Sequence, residues 1–516
     1  MENKIVLATV NAKKDLYSTT ADEFSAIPPN VNMGLLYSYI KSKNIPVEMI
    51  ESDVEKISID ELINLIEKEE PLVFGIICTG ANPSSSTMSM TGVIDFFHKY
   101  NKRKIKKTKS FIWGPHPTIL PERTLRETGT DFVIRGEGYE TIVDLFNALN
   151  CIPEAESRRR SKPKAIESRR GFSLVEAEPW DGKIENIPGL SYLVETNGET
   201  EYVQTKDAEL IKDLDILPMI DWKIMNPSKY RAHNWHCFGD IKNRTPYAIL
   251  WTSFGCPFRC AYCCINNLFG KRIQRFRSID SVIKEISILV EKYNVKHLKI
   301  LDELFVVNSK RIEEFCDKLE IKGYDLNMWS YSRVDTINRH LLKRLKKVGM
   351  NWISYGFETA TTEMLKTIKK GCNSNVDEVI RMTQDEGVYI CADVMAGLPD
   401  DDCDSMNRTY DFLVKYNFEW VNIYPMFGYP GTEFYKDIEG DNVWKTYALY
   451  GYECMPRGTK YLSPKEVLGF RDEIFIKYHS RNEYLSMIEE KFGVDTKEHL
   501  IRMINIPLKR KLLEED

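Results

Sequence analysis

Apolar and polar positions follow two rhythms along residues 1–150. Strand-length apolar runs recur at Ile5–Val10, Val47–Glu51, Leu72–Cys78, Ser110–Trp113 and Phe132–Ile134. Between them apolar residues repeat at helical spacing over Met33–Ser42, Ile59–Lys68, Met88–Tyr100 and Thr141–Leu149. Alternating strand and helix predicts a parallel sheet wound on both sides, its strands buried on both faces. The same alternation returns from about residue 240. Strands are predicted at Ala248–Trp251, His297–Leu301, Asn327–Tyr331, Trp352–Gly356, Ile390–Val394 and Trp420–Tyr424. The intervening helical stretches are Ile279–Tyr293, Ser309–Leu319, His340–Val348, Glu363–Lys369, Asn375–Glu386 and Cys403–Tyr416. Six β/α units suit a partial parallel barrel, which places its chemistry at the C-terminal strand ends. Two further helices, Pro464–Tyr478 and Glu483–Phe492, carry an apolar stripe and form a tail. Its aromatics Phe470, Phe475 and Tyr478 are expected in the core.

The stretch between the two halves reads differently. Ser157–Gly171 is basic and without periodicity, as a linker is. It lacks the interleaved aromatics of a nucleic-acid patch. Gly189–Val203 predicts a β-hairpin turning at Asn197–Gly198. The domains expected are therefore 1–150, a linker with hairpin over 151–239, a barrel over 240–436 and a helical cap over 437–516.

Composition narrows the class. The 516 residues are 43% hydrophobic and 28% charged, with a net charge of −5. This is an ordinary globular balance, with no global electrostatic pull towards nucleic acid or membrane. No apolar run reaches the length of a membrane span, and the N-terminus does not read as a signal peptide. Twelve cysteines without disulfide-type spacing point to a reducing cytoplasm.

Three of those cysteines carry the chemistry. Cys256, Cys260 and Cys263 stand as C-x3-C-x2-C in WTSFGCPFRCAYCC, just after an apolar strand. Three thiolates on a short loop can hold three irons of a 4Fe–4S cubane and leave the fourth iron open. A zinc site or buried structural thiols are the alternatives. Zinc usually recruits two Cys pairs or a Cys/His set, and no such partner stands nearby in sequence. Neighbouring Cys264 points away from Cys263 in any regular backbone.

With Tyr262 just before the last cysteine, this motif resembles the signature of radical S-adenosylmethionine (SAM) enzymes. The resemblance implies that the open iron binds the amino and carboxylate groups of SAM and that one electron splits SAM to a 5′-deoxyadenosyl radical. It assigns Tyr262 to the adenine, Glu303 of LDELF to the SAM amino group, Arg333 to its carboxylate and Glu358 of YGFET to its ribose. Plainer readings compete: Asp302, Glu303, Asp335 and Glu358 also suit helix caps or first-turn acids, and Arg333 also suits a plain surface salt bridge. Lys369-Lys370-Gly371 reads as a helix C-terminus closed by glycine. MAGLP and YPMFGYPGT resemble later loops of the family, although Asp400-Asp401-Asp402 replaces the usual continuation of the first.

Small residues crowd the strand ends of the N-terminal half, in PPNVNMG, TGANPSSS, GPHPT and GEGYET. They are either simple turns or room for a large flat ligand. Together they resemble the cobalamin (B12)-binding domain of many radical SAM enzymes, a Rossmann-like, flavodoxin-type fold placed before a partial (β/α)6 TIM barrel. The resemblance nominates Thr79, Gly80, Gly114, His116, Gly136, Glu137 and Gly138 as cobalamin contacts. The D-x-H-x-x-G motif that supplies a cobalt-binding histidine elsewhere is absent, and His116 sits outside that context. LDILP (Leu214–Pro218) resembles the family's interdomain linker.

The implied enzyme is similar to class B radical SAM methyltransferases, with a 4Fe–4S cluster, SAM and cobalamin as cofactors. It would methylate an unactivated carbon of a small-molecule or peptide substrate, drawing electrons from an external flavodoxin- or ferredoxin-like reductant. Rearrangement or cyclisation without methyl transfer is one alternative, and a non-catalytic corrinoid-binding protein is another.

Overall fold

The computed structural model describes residues 3–13, 16, 24–80, 82–103, 108–151, 184–371, 375–437 and 443–514. The basic run Ser157–Gly171 lies outside them. Five parallel strands open the chain: β1 (Ile5–Thr9), β2 (Val47–Glu51), β3 (Val73–Ile77), β4 (Lys109–Trp113) and β5 (Phe132–Ile134). They stand in the order β2-β1-β3-β4-β5. β1 and β3 bury every residue, as strands covered on both faces do. The crossing helices are α1 (Val31–Ser42), α2 (Ile59–Glu69), α3 (Ser85–Lys102), the short α4 (Pro115–Ile119) and α5 (Pro121–Thr128), with α6 (Tyr139–Asn150) closing the unit. Local chemistry sets their starts. Asn30 accepts from Met33 N at the head of α1, and Ser58 and Glu61 form a reciprocal capping box on α2.

The predicted hairpin is present as β6 (Leu190–Thr196) and β7 (Glu199–Gln204), turning through Asn197 and Gly198, both at positive φ. It is not a free linker. β6 pairs antiparallel with β5 and extends the sheet to seven strands. Its alternation explains why: Leu190, Tyr192 and Val194 are buried, while β7 takes the solvent edge. LDILP does pin the crossing. Leu214 and Leu217 are buried, and Asp215 accepts from Ser278 N at the head of the first barrel helix.

The barrel comprises β8 (Tyr247–Leu250), a two-residue pair β9 (Ser253–Phe254) with β10 (Arg275–Phe276), then β11 (His297–Ile300), β12 (Asn327–Ser332), β13 (Met350–Glu358), β14 (Tyr389–Ala396) and β15 (Trp420–Pro425). Six parallel strands run β15-β14-β13-β12-β11-β8. The helices between them are α7 (Ile279–Tyr293), α8 (Ser309–Lys322), α9 (Arg339–Lys347), α10 (Thr362–Thr367), α11 (Val376–Asp385) and α12 (Cys403–Tyr416). The tail holds α13 (Pro464–His479) and α14 (Asn482–Phe492), as predicted, and also α15 (Val494–Ile504). α15 buries Thr496, His499 and Leu500. α13 docks on β15 through Arg471 Nε to Ile423 O (2.8 Å), and Tyr478 Oη donates to Phe418 O (2.8 Å). Tyr478 is core, as expected, but Phe475 also faces the central cavity.

Among the described residues no helix is long and apolar enough to cross a membrane.

Candidate functional site

The cysteine loop leaves the barrel at β9 and is held from below by Asp302. Thr252 N, Thr252 Oγ1 and Ser253 Oγ all donate to this buried carboxylate at 2.6 Å. Asp302 is thus a brace for the loop. Gly255 must be glycine: it sits at φ +86°, and a Cβ there would lie 2.2 Å from Ile273 O. Asn266 clasps Cys256 through both amide atoms, at 3.3 and 3.1 Å. Ala261 N donates to Ile368 O (2.9 Å), and Ala261 O accepts from Glu433 N (3.0 Å).

Cys256, Cys260 and Cys263 are partly exposed and open on one cavity of about 880 Å3. The all-sulfur donor set fits the irons of a cubane. Burial pushes the Cys264 thiol up to about 12.

The next strand ends complete this wall. Glu303 follows β11 and accepts from Gly255 N (3.2 Å), and burial raises its carboxyl to about 7. Glu358 ends β13 at φ +66°, beside a register shift between Gly356 and Glu358. Such a bulge re-aims a side chain at a site. Its Oε1 accepts from Tyr262 Oη (2.7 Å) and from Lys370 Nζ (2.5 Å). Lys370 was expected to close a helix, but α10 ends at Thr367 and the Lys370 ammonium turns inward. Its neighbour Lys369 is the exposed one, paired with Glu433. Arg333 differs from expectation too. Its Nε and Nη2 engage Asp335 at 2.8 and 2.7 Å, and Nη2 also donates to Lys370 O and Gly371 O. The guanidinium lies 3.9 Å from the centre of the Phe258 ring. Asp401 and Asp402, which break the family pattern, accept from Leu398 N and cap α12.

On the opposite wall, Thr79 and Gly80 line the same cavity. Thr79 Oγ1 donates to Asn30 Oδ1 (2.9 Å), which ties TGANPSSS to the PPN turn. A Cβ on Gly80 would fall 2.2 Å from Ser85 Oγ, so a side chain there would fill the cradle. Four nominated residues do not line the cavity. Gly114 passes under the Cys78 carbonyl, where a Cβ would lie at 2.1 Å. Gly136 and Gly138, at φ +75° and +76°, build the turn beneath Trp113, whose Nε1 donates to Gly136 O (2.8 Å). His116 is buried 4.4 Å edge-on from Trp444, with Nδ1 beside Thr87 Oγ1 at 3.4 Å, and burial holds its ring down at about 3. It anchors the C-terminal segment and does not face the ligand space. Glu137 reaches the cavity but is committed elsewhere: Arg275 grips it at 2.7 and 3.1 Å, and Ile211 N donates to it. Trp113, Asp53 and Met88 line this wall without having been nominated. Trp113 ends β4, Asp53 follows β2 and Met88 lies in the first turn of α3, and only this closeness to strand ends could have signalled them.

The third part of the cavity is the barrel interior. Lys299 of β11 is 1% exposed, its ammonium 4.5 and 5.0 Å from the Trp329 and Tyr331 ring centres. Burial lowers it to about 7. Asp393 of β14 accepts from Ser354 Oγ (2.5 Å) and Asn422 Nδ2 (2.8 Å), and burial raises it to about 6. Tyr424 leaves 39% of its surface open to this space.

Comparison with known proteins decides the family. A profile described as the radical SAM superfamily matches residues 252–413, and one described as a B12 binding domain matches residues 18–146. The chain is a B12-binding radical SAM enzyme. Its cofactors are accordingly a 4Fe–4S cluster, SAM and cobalamin. Among relatives, a protein of Pyrococcus horikoshii named as an uncharacterized methyltransferase is 26% identical over 431 residues, covering 81% of each chain. The anaerobic magnesium-protoporphyrin IX monomethyl ester cyclase of Cereibacter sphaeroides is 26% identical over 363 residues, 69% of this chain and 53% of that one. The radical SAM methyltransferase TsrM from Kitasatospora setae shares the fold with a TM-score of 0.59 at 13% identity, over 84% of this chain and 74% of that one. The cobalamin-dependent radical enzyme OxsB does so at 0.57 and 17% identity, over 87% and 55%.

Two outcomes follow for this radical SAM enzyme. Replacing Cys256, Cys260 or Cys263 singly by Ala should strip most of the iron from anaerobically reconstituted protein, while Cys264→Ala keeps it, as iron and sulfide assays read. Lys299 tests the barrel interior. Its folded value of about 7 lies below the ordinary lysine value of 10.5, so the unfolded chain binds more protons between them. Wild-type stability should therefore rise with pH across that window relative to Lys299→Met. In denaturant melts Lys299→Met should lead by about 2–4 kcal/mol near pH 7.5 and lose that lead by about pH 10.

Proposed function

We propose that this enzyme methylates an unactivated carbon of a substrate held in the barrel interior. The observation that carries the reading is the single cavity. The cysteine loop, the Thr79–Gly80 cradle and the Lys299–Asp393 wall all open on it. When bound, the cluster and SAM supply a carbon-centred oxidant and cobalamin supplies a methyl group; the protein's part is placement and exclusion of water. Cys256, Cys260 and Cys263 would hold the cluster. Glu303 and Glu358 offer carboxylates to the ammonium and ribose of SAM, and Tyr262, bonded to Glu358, forms the adjoining wall. Thr79 and Gly80 leave space for the corrin, and no role falls to His116. Tyr331, Tyr424 and Trp420 offer an aromatic surface to the substrate, while Lys299 and Asp393 are the polar groups that orient it. Electrons arrive from an external one-electron donor.

The magnesium-protoporphyrin cyclase relative favours a second reading, ring closure without methyl gain. Anaerobic, doubly reconstituted protein given methyl-labelled SAM and a chemical reductant separates the two. With no substrate added, the methyl-transfer reading predicts both S-adenosylhomocysteine and 5′-deoxyadenosine, with label passed from SAM to the corrinoid. Release of 5′-deoxyadenosine alone would overturn it in favour of the second reading.

A further inference from the structure

The open iron would take only part of the methionyl carboxylate, and the oxygen turned to the protein still needs a cation, because buried charge left unpaired is costly. Arg333, nominated by its place after β12, lines the same cavity, but its guanidinium is already engaged. One edge is bidentate to Asp335, Nη2 also meets two main-chain carbonyls, and Nη1 stands 3.9 Å from Cys260 Sγ. Arg333 thus staples the segment at residues 370–371 beside the cysteine loop.

That segment carries the better-placed cation. Lys370 is 7% exposed and lines the cavity together with Cys256, Cys260 and Cys263. Its Nζ donates to Gly356 O and to Glu358 Oε1, both at 2.5 Å. An ammonium has three N–H donors, so these two bonds leave one more. The backbone is shaped around it: a Cβ on Gly356 would lie 2.8 Å from Lys370 Nζ and 2.5 Å from Glu358 Oε1. The bond from Ala261 N to Ile368 O fixes the segment's distance from the cysteine loop. The ammonium therefore sits where the loop, Tyr262 and Glu358 meet.

We propose that Lys370 binds the methionyl carboxylate of SAM, with Arg333 acting as the positioning residue that holds Lys370 in place. The proposal rests on the SAM site of the preceding section. Glu303 then faces the SAM ammonium, Glu358 its ribose hydroxyls and Lys370 its one anionic group.

The test compares equilibrium binding of SAM and of decarboxylated SAM, which lacks only that carboxylate, to the cluster-loaded full chain. Lys370→Met should weaken SAM by about tenfold or more, as loss of a charged hydrogen bond does, and change decarboxylated SAM by less than about threefold. The wild-type preference between the two ligands therefore shrinks. Equal loss for both ligands, or none for either, would overturn the assignment and leave Lys370 as a prop for Glu358. Should Lys370→Met not load iron, Lys370→Gln, which keeps donors for Gly356 and Glu358, is read by the same ratio. Failure of both to load iron places Lys370 in the loop's own structure and also overturns the proposal. Loaded wild type that binds neither ligand refutes the SAM site itself, a result distinct from all of these.

Discussion

The buried ion pair between Glu137 and Arg275 is the contact on which the arrangement of the two halves depends. Glu137 stands in the turn after β5 of the N-terminal sheet, and Arg275 stands on β10. β10 pairs with β9, the strand from which the cysteine loop departs. One bidentate contact, with side chains 6% and 9% exposed, thus ties the strand ends of the first sheet to the loop of the second. Removing one partner of such a pair strands a buried charge, a loss of about 3–5 kcal/mol. A second clasp lies at the far end, where Trp444 of the C-terminal segment packs between His116 and Arg123. The glutamate of GEGYET is in this light an interdomain contact first, and its cavity exposure is incidental to that.

Because the two halves are held this way, their C-terminal strand ends face one space. Both parallel architectures place ligands there. The result is a cavity with three distinct walls: sulfur and carboxylate on the loop side, small residues on the sheet side, and aromatic rings with one buried lysine in the barrel. No wall is chemically sufficient alone. The proposed methylation would bring a methyl group and an oxidant to the same carbon, and one shared space allows that.

Much of this was legible in the chain. The five parallel strands, the six barrel strands and the cysteine triple follow from apolar periodicity and from donor spacing, both local properties. What was missed is non-local. The Gly189–Val203 hairpin reads as a hairpin, but only pairing with β5 makes it part of the sheet. His116, Gly114, Gly136 and Gly138 were nominated as ligand contacts from a motif whose role here is backbone geometry and docking. Glycines mark tight turns whether or not a ligand is near, and the chain alone does not say which side of the turn faces the cavity. Lys370 read as a helix end because a Lys-Lys-Gly run suits one. Only the early stop of α10 turns it inward. Arg333 was assigned to a ligand because Asp335, two residues on, did not announce itself as its partner.

The central claim is that cluster and corrinoid share one cavity, and electron paramagnetic resonance of doubly loaded protein tests it most directly. With the cluster reduced and the cobalt in its cob(II) state, two paramagnets are present together. The account predicts that the cob(II)alamin lines broaden and relax faster than in protein whose cysteine loop carries no iron. A spectrum that is the simple sum of the two separate signals would contradict it.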